Sequence, residues 1–210
     1  MSLKRSAEEM LEIFNPISTA LNRIQASDCK LSESVLIWKK LKIEFANSNA
    51  NANINNEFDK RYYKIMSEHH FVAFLLSPKV VDNEITLSED EKQTALTYME
   101  ENFPLRFVND VFLKFIAHLS PFREAQYKNI DNLTDTQWWN SMAKLYPNFI
   151  STLYLQKIEQ FTTAVCSSAS IERTFSRFSL TQTKLRNKLG NEKASKLVFV
   201  SQQLNQKICN

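Results

Sequence analysis

The sequence predicts a mainly α-helical fold, and three observations carry that prediction. The 210 residues contain one glycine, where about 15 are usual for a soluble chain of this length. Apolar side chains recur at helical spacing along most of the chain rather than alternating. Ser88-Glu89-Asp90-Glu91 has the form of a capping box, in which the serine and the second glutamate satisfy each other's free backbone N–H groups. The glycine shortage also excludes function classes. A dinucleotide-binding fingerprint, a Walker A loop, a kinase glycine-rich loop and a G-x-S-x-G elbow each need at least two glycines. Tight hairpins and bulges favour glycine for its positive φ, so an all-β barrel or sandwich is disfavoured on the same ground.

The elements follow in order. A short helix is expected over about 4–14, and Asn15-Pro16 then reads as N-cap and first turn of a second. Ile17, Leu21 and Ile24 form its apolar stripe. A helix over about 32–46 carries two stripes, Leu31/Val35/Trp38 and Ile37/Leu41/Phe45, as expected of a helix covered on two sides. Residues 47–56, rich in Asn and Ala, read as a loop. Phe58, Tyr62, Ile65, His69 and Val72 then predict one long amphipathic helix ending before Pro78. The capping box opens a helix to about residue 102, and Leu105, Val108, Phe112, Phe115 and Leu119 predict another before Pro121. Thr134 or Asp135 caps a helix bearing Trp138-Trp139, and Tyr146-Pro147 starts one with Ile150, Leu153 and Ile158. Phe161–Val165, β-branched in part, is the best candidate for a short strand, and the fold holds at most one or two of these. A helix begins within Ser167–Ser176. Gly190-Asn191 stops one helix and caps the last, whose stripe is Leu197, Val200, Leu204 and Ile208.

Hydrophobic content of 43% and charged content of 23% suit a chain with a real core, and 15 phenylalanines predict an aromatic one. No apolar run reaches the ~18 residues of a membrane span, and MSLKRSAEEM lacks the apolar stretch of a signal peptide. The expectation is therefore a chain that is neither secreted nor membrane-bound. Cys29, Cys166 and Cys209 are odd in number and far apart, and make neither a C-x-x-C pair nor a disulfide framework. That usage fits a reducing compartment, where the sequon Asn132-Leu133-Thr134 carries no meaning.

The net charge of +3 is unevenly placed. Residues 151–210 hold nine basic residues against three acidic ones, a net of +6. Between residues 173 and 196, Arg173, Arg177, Lys184, Arg186, Lys188, Lys193 and Lys196 face only Glu192. Such a segment is either a solvated helical face or a phosphate-contacting surface.

Other candidate sites are weaker. His69 and His70 are adjacent, so on a helix they point about 100° apart and do not share an ion. With His118 standing alone, a structural or surface role is expected for all three. Asp82, after Val80-Val81, is expected in a loop rather than on a catalytic strand. Cys166 lies just before a predicted helix start, where a thiolate is favoured, but has no histidine near in sequence. Trp138-Trp139 can fill core or line an interface. On one helix only one of them is expected to face fully inward.

The C-terminal third carries a family resemblance. Trp138-Trp139, Tyr146-Pro147, the run Ser167-Ser168-Ala169-Ser170-Ile171-Glu172-Arg173-Thr174-Phe175-Ser176, then Lys184-Leu185-Arg186-Asn187-Lys188-Leu189 and a terminal helix ending at Leu204-Asn205 occur in one order. Residues 138–205 thereby resemble the C-terminal dimerisation region of hAT-superfamily DNA transposases. The S-S-A-x-x-E-R-x-F-S element followed by R-N-x-L is its specific part. Leu21-Asn22-Arg23-Ile24-Gln25 and the helix through His70, Ala73 and Pro78 bear a weaker likeness to the helical segment that precedes that region. The resemblance implies an RNase H-like nuclease core interrupted by a helical insertion, with 1–133 like the helical insertion domain and 134–210 the C-terminal dimerisation region. It implies three carboxylates holding two divalent metals, Mg²⁺ or Mn²⁺. Glu172 matches the third carboxylate, and as a first-turn glutamate it also suits the helix dipole. Arg173 pairs with a carboxylate or contacts phosphate, and Phe175 fills core.

The two aspartates of the set belong to early strands upstream of the insertion, and this sequence, which begins within the insertion-like part, offers no match for them. Neither Asp82 nor Asp110 substitutes, because metal ligands need sub-ångström placement. No zinc-binding DNA reader precedes the helices. The expectation is a truncated or domesticated transposase remnant that works by self-association, with itself or another hAT-type protein. Trp138, Trp139, Phe175, Leu197, Val200 and Leu204 supply packing and dimer contacts. DNA binding through the 173–196 segment ranks second, and metal-dependent transposition using Glu172 in a longer product or in trans ranks third. The resemblance implies a nuclear location, with the cytoplasm as the alternative.

Overall fold

The computed structural model describes residues 3–47, 52–81, 85–122 and 132–167, together with Glu172 and Lys196. Contacts divide the chain into two compact units. One is Met1–Ile24 with Asp28–Cys166, and the other is Gln25–Ser27 with Ser167–Asn210. The described residues are predominantly helical.

The first unit is a helical assembly around an aromatic core. Its first helix, α1, runs Leu3–Ile24 without a break and contains Pro16. The expected division at Asn15-Pro16 does not occur. Proline removes one intrahelical N–H, but Ile13, Ile17 and Ala20 form a continuous stripe across it and hold the helix against the core. Leu21, assigned to the stripe by spacing, is instead exposed, and Ala20 takes the inward position.

The second helix, α2 (Leu31–Asn47), buries Val35, Leu41 and Phe45 and half-buries Leu31, Ile37 and Trp38, so both predicted stripes are covered. Helix α3 (Ala52–Ile65) begins inside the stretch expected to be a loop.

The long helix expected over Phe58–Val72 is two helices, α3 and α4 (Glu68–Leu75). Ser67 breaks it. Its backbone N–H donates to His70 Nδ1 at 3.3 Å, and its hydroxyl lies 3.0 Å from the same nitrogen. This is a capping box in which a histidine replaces the usual Glu or Gln. Met66 is buried at the break and Ile65 is exposed. Pro78 ends nothing further. It opens the short helix α5 (Pro78–Val81), which places Val80 in the core rather than in a loop. Asp82 lies outside the described residues.

Helix α6 (Glu89–Asn102) starts at Ser88 with the predicted capping box. The next helical stretch is α7 (Leu105–Phe107), a π turn over Val108–Phe112 and α8 (Leu113–Ile116). The wide turn, closed by Leu113 N–H donating to the Val108 carbonyl, rotates the stripe. Phe107, Val108, Val111, Phe112 and Phe115 all become buried, while Leu105 and Leu119 at the ends of the predicted stripe are exposed.

The stretch ends on His118 at φ 50°. Leu119 N–H reaches the Lys114 carbonyl and His118 N–H the Phe115 carbonyl, the two bonds of a Schellman stop. Glycine usually fills that left-handed position, but this chain, with one glycine in all, uses histidine.

Helix α9 (Asp135–Leu145) is capped by Thr134, as expected. Both tryptophans on it are buried, which corrects the expectation that one leans outward. Phe115 and Phe122 wrap the turn from the side. Phe115 stands 5.4 Å from Trp138 and 4.7 Å from Trp139, and the two indoles meet edge to face at 5.0 Å. Trp139 Nε1 donates to the Leu76 carbonyl at 2.8 Å, tying α9 to the end of α4.

Helix α10 (Thr152–Thr163) starts at Ser151 rather than at Tyr146-Pro147, because Ser151 accepts the Tyr154 N–H as N-cap. It also absorbs most of the expected strand. Phe161 lies buried on its inner face, and the Thr163 hydroxyl donates to the Glu159 carbonyl at 2.6 Å, which lets a β-branched residue stay helical. Only Val165 pairs, in a single antiparallel bridge with Lys30. The compact unit spans residue 134, where the family resemblance changes segment.

In the second unit, Glu172 and Lys196 are helical and exposed. The Gly190-Asn191 stop and the terminal stripe lie outside the described residues.

Candidate functional site

The described side chains with the most polar chemistry gather where α1, α2, α5, α9 and α10 present their ends to one another. There a cleft of about 560 Å³ opens among Arg23, Lys30, Glu33, Lys79, Asp135 and the hydroxyls of Thr134–Thr136 and Thr162–Thr163. The helix ends bring these groups together, since polar residues favour caps and termini. Most of the charge in the cleft is already answered within the protein. Arg23 holds Asp28 at 2.7 Å and Glu33 at 2.6 Å, and Lys30 Nζ donates to the Thr163 carbonyl at 3.1 Å. Burial pushes the Asp135 carboxyl above its ordinary range, against the pull of the Ser77 hydroxyl and Lys79. Among its described lining residues the cleft has polar recognition chemistry and no nucleophile held beside a base.

Lys30, which lines the cleft, also pairs with Val165 in a bridge, and that bridge carries a feature that spacing in sequence conceals. Leu31 N–H donates to the Ala164 carbonyl at 3.0 Å and Cys166 N–H to the Cys29 carbonyl at 3.1 Å. The two cysteines, 137 positions apart in the sequence, are thus neighbours. Cys29 is buried and Cys166 half-exposed, and both are free thiols. Cys29 Sγ lies 3.8 Å from the Lys30 carbonyl, and the two thiols perturb each other's ionisation. The Cys166 thiol, with burial, pushes Cys29 up, and Cys29 holds Cys166 down. Cys166 Sγ also lies 3.0 Å from the Ile24 carbonyl at the end of α1.

The histidines take structural positions. His70 caps α4, and burial, with His69 close by, holds its pKa below the ordinary value. His69 packs its ring 4.8 Å from Tyr98 and 6.1 Å from Phe161. Asp110 pairs with Lys114 at 2.9 Å on the surface.

The residues singled out by the family resemblance divide differently. Trp138 and Trp139 pack the core. Arg173, Arg177, Lys184, Arg186, Lys188, Lys193, Phe175, Leu197, Val200 and Leu204 lie outside the described residues. Of the acidic and basic candidates, Glu172 and Lys196 are described, each exposed on helix. Among the described residues no group of three or more His, Cys, Asp or Glu side chains converges as a metal site. The described residues alone do not supply the ligand set for two Mg²⁺ or Mn²⁺ ions, and no step through a metal is assigned to them.

The sequence spacing also misses an exposed apolar face on α1, formed by Met10, Leu11, Phe14 and Leu21 at 59, 55, 62 and 42% exposure. The signal is present in the sequence as a heptad. Leu3, Ala7, Met10, Phe14, Ile17, Leu21 and Ile24 follow one another at alternating steps of four and three. No helix among the described residues is long and apolar enough to cross a membrane. Comparison with protein-family models and with curated protein sequences finds no match to this chain.

Proposed function

We propose that this protein works by self-association, and that the apolar outer face of α1 is a contact between two copies. The single observation carrying this reading is that face. Met10, Leu11, Phe14 and Leu21 are exposed on a helix whose adjoining flank, Ile13, Ile17 and Ala20, packs against the protein's own core. Exposed apolar side chains contiguous along one helix mark an association surface. The alternating four-and-three spacing suits a second copy of the same helix better than an unrelated partner, because identical heptads mesh in register. The test is cross-linking of the whole chain. Phe14→Glu and Leu21→Glu abolish the cross-linked dimer without lowering the melting temperature, since both side chains are exposed. A dimer that survives both changes rejects this contact.

The ancestry proposed with it is a hAT-type transposase, with helical insertion-like and C-terminal parts of an RNase H-like core and a nuclear location. The S-S-A-x-x-E-R-x-F-S element around Glu172 and the R-N-x-L element around Arg186-Asn187 support it. In this proposal dimerisation is the activity of these residues, and Glu172 is the carboxylate they would supply to a transposase site.

Binding to nucleic acid is the second reading. It is favoured by seven basic residues against one acidic residue between 173 and 196. Affinity for a DNA duplex then falls steeply with salt and drops on charge reversal of Arg186 and Lys188. Binding that is absent at low salt, or indifferent to those reversals, rejects it.

A further inference from the structure

We propose that Cys29 and Cys166 form a reversible disulfide, a redox clasp that joins the start of α2 to the chain leaving α10.

The backbone supplies the geometry. Lys30 and Val165 are paired, and the bonds from Leu31 N–H to Ala164 and from Cys166 N–H to Cys29 flank that pair. One step outward in an antiparallel register, Cys29 stands directly opposite Cys166, with both side chains on the same face. The Cα separation of such a hydrogen-bonded pair, about 5.5 Å, falls within the 4.4–6.8 Å that a disulfide spans, so about no backbone movement is needed.

Their environments assign different roles. Cys166 is half-exposed and the neighbouring Cys29 holds its pKa below the ordinary thiol range, so it is the thiol that an oxidant reaches and the one more readily ionised. Cys29 has no exposed surface and acts as the resolving partner.

The oxidant class is a peroxide. The Cys166 thiolate attacks one peroxide oxygen, the O–O bond breaks, and the other oxygen leaves as hydroxide, which takes up the Cys166 proton to become water. Cys166 is then a sulfenic acid. The Cys29 sulfur attacks the Cys166 sulfur, the S–S bond forms and the S–O bond breaks. The departing hydroxide takes the Cys29 proton as a second water. Two thiols lose two electrons and two protons, and one peroxide gives two waters.

The consequence is mechanical. The bond closes a loop spanning nearly all of Asp28–Cys166, and long closed loops restrict the unfolded chain most. It also withdraws Cys166 from the Ile24 carbonyl, its present contact at the end of α1.

The test uses the whole chain, reduced and then treated with stoichiometric hydrogen peroxide. Peptide mapping by mass is expected to show Cys29 linked to Cys166 with the loss of two hydrogens, reversed by a dithiol reductant. The melting temperature is expected to rise by several degrees on oxidation, and not in Cys29→Ser or Cys166→Ser. The mapping needs no variant, so it decides the matter even if Cys29→Ser, at a fully buried position, fails to fold. Both thiols remaining open to alkylation after treatment, a linkage to Cys209 or to a second chain, or oxidation of Cys166 beyond the sulfenic state with Cys29 unlinked, would each overturn the proposal.

Discussion

Glu91 shows most directly how one residue organises this fold. It sits in the first turn of α6, almost wholly buried. Its carboxylate takes a salt bridge from Lys39 at 2.6 Å, the Tyr62 hydroxyl at 2.7 Å and the Ser88 N–H at 2.7 Å. Burial pushes its pKa up, but these three donors outweigh burial and leave it below the ordinary 4.5. Its capping role was legible in the motif at Ser88. The partnership with α2 and α3 was not, because Lys39 and Tyr62 are 52 and 29 positions away.

Removing one member of such a pair strands the other. Glu91→Ala is expected to cost about 3–5 kcal/mol in urea unfolding, and Glu91→Leu with Lys39→Met to recover most of it. The pH dependence follows in sign. Glu91 is depressed, so its contribution is complete above pH 4.5 and is lost as pH falls through its folded value. His70 is likewise depressed, chiefly by burial, so its contribution is complete above 6.5 and is lost in acid as the ring becomes charged. The melting temperature is therefore expected to decline from about pH 6.5 downward and to steepen below 4.5. In His70→Gln, which keeps an acceptor for the cap, the first limb is absent. A wild-type profile flat between 6.5 and 4.5 would contradict this account of the cap.

At the scale of elements, the places where spacing misled share a cause. Periodicity locates an apolar face but says nothing of local backbone chemistry that interrupts or rotates it. Ser67 and His70 split one stripe into α3 and α4, the π turn at Val108–Phe112 rotates another, and Pro16 fails to break α1 because the stripe continues past it. The signals that worked were local side-chain caps, Ser88 on α6 and Thr134 on α9. The Schellman stop at His118 gives a direct test. A non-glycine residue in the left-handed region costs roughly 1–2 kcal/mol, so His118→Gly is expected to stabilise the protein by about 0.5–1 kcal/mol after the entropy that glycine adds to the unfolded chain. A second test concerns α9. Trp139→Phe keeps the ring but leaves the Leu76 carbonyl without its indole donor, and is expected to cost about 1–3 kcal/mol in denaturant unfolding. A neutral result would mean that the bond does not fasten α9 to α4.

At the scale of the whole molecule, the helical class was legible from a single glycine and from stripes of apolar spacing. The aromatic core was legible from 15 phenylalanines. The candidate surfaces were less so. Trp138-Trp139 suggested an outward face, but Phe115 and Phe122 close over both rings. Among the exposed apolar residues, Met10, Leu11, Phe14 and Leu21 share α1, whose heptad is hidden by a proline and by Ile17, which packs against the protein's own core. The meeting of Cys29 with Cys166 depends on the ends of α2 and α10 converging, which no local pattern encodes.

Self-association is the central claim, and sedimentation equilibrium of the whole chain across a micromolar concentration series tests it most directly. The mass is expected to rise from one copy toward two with concentration, and to stay at one copy throughout for Phe14→Glu. A single-copy mass for the unmodified chain at every concentration would contradict it.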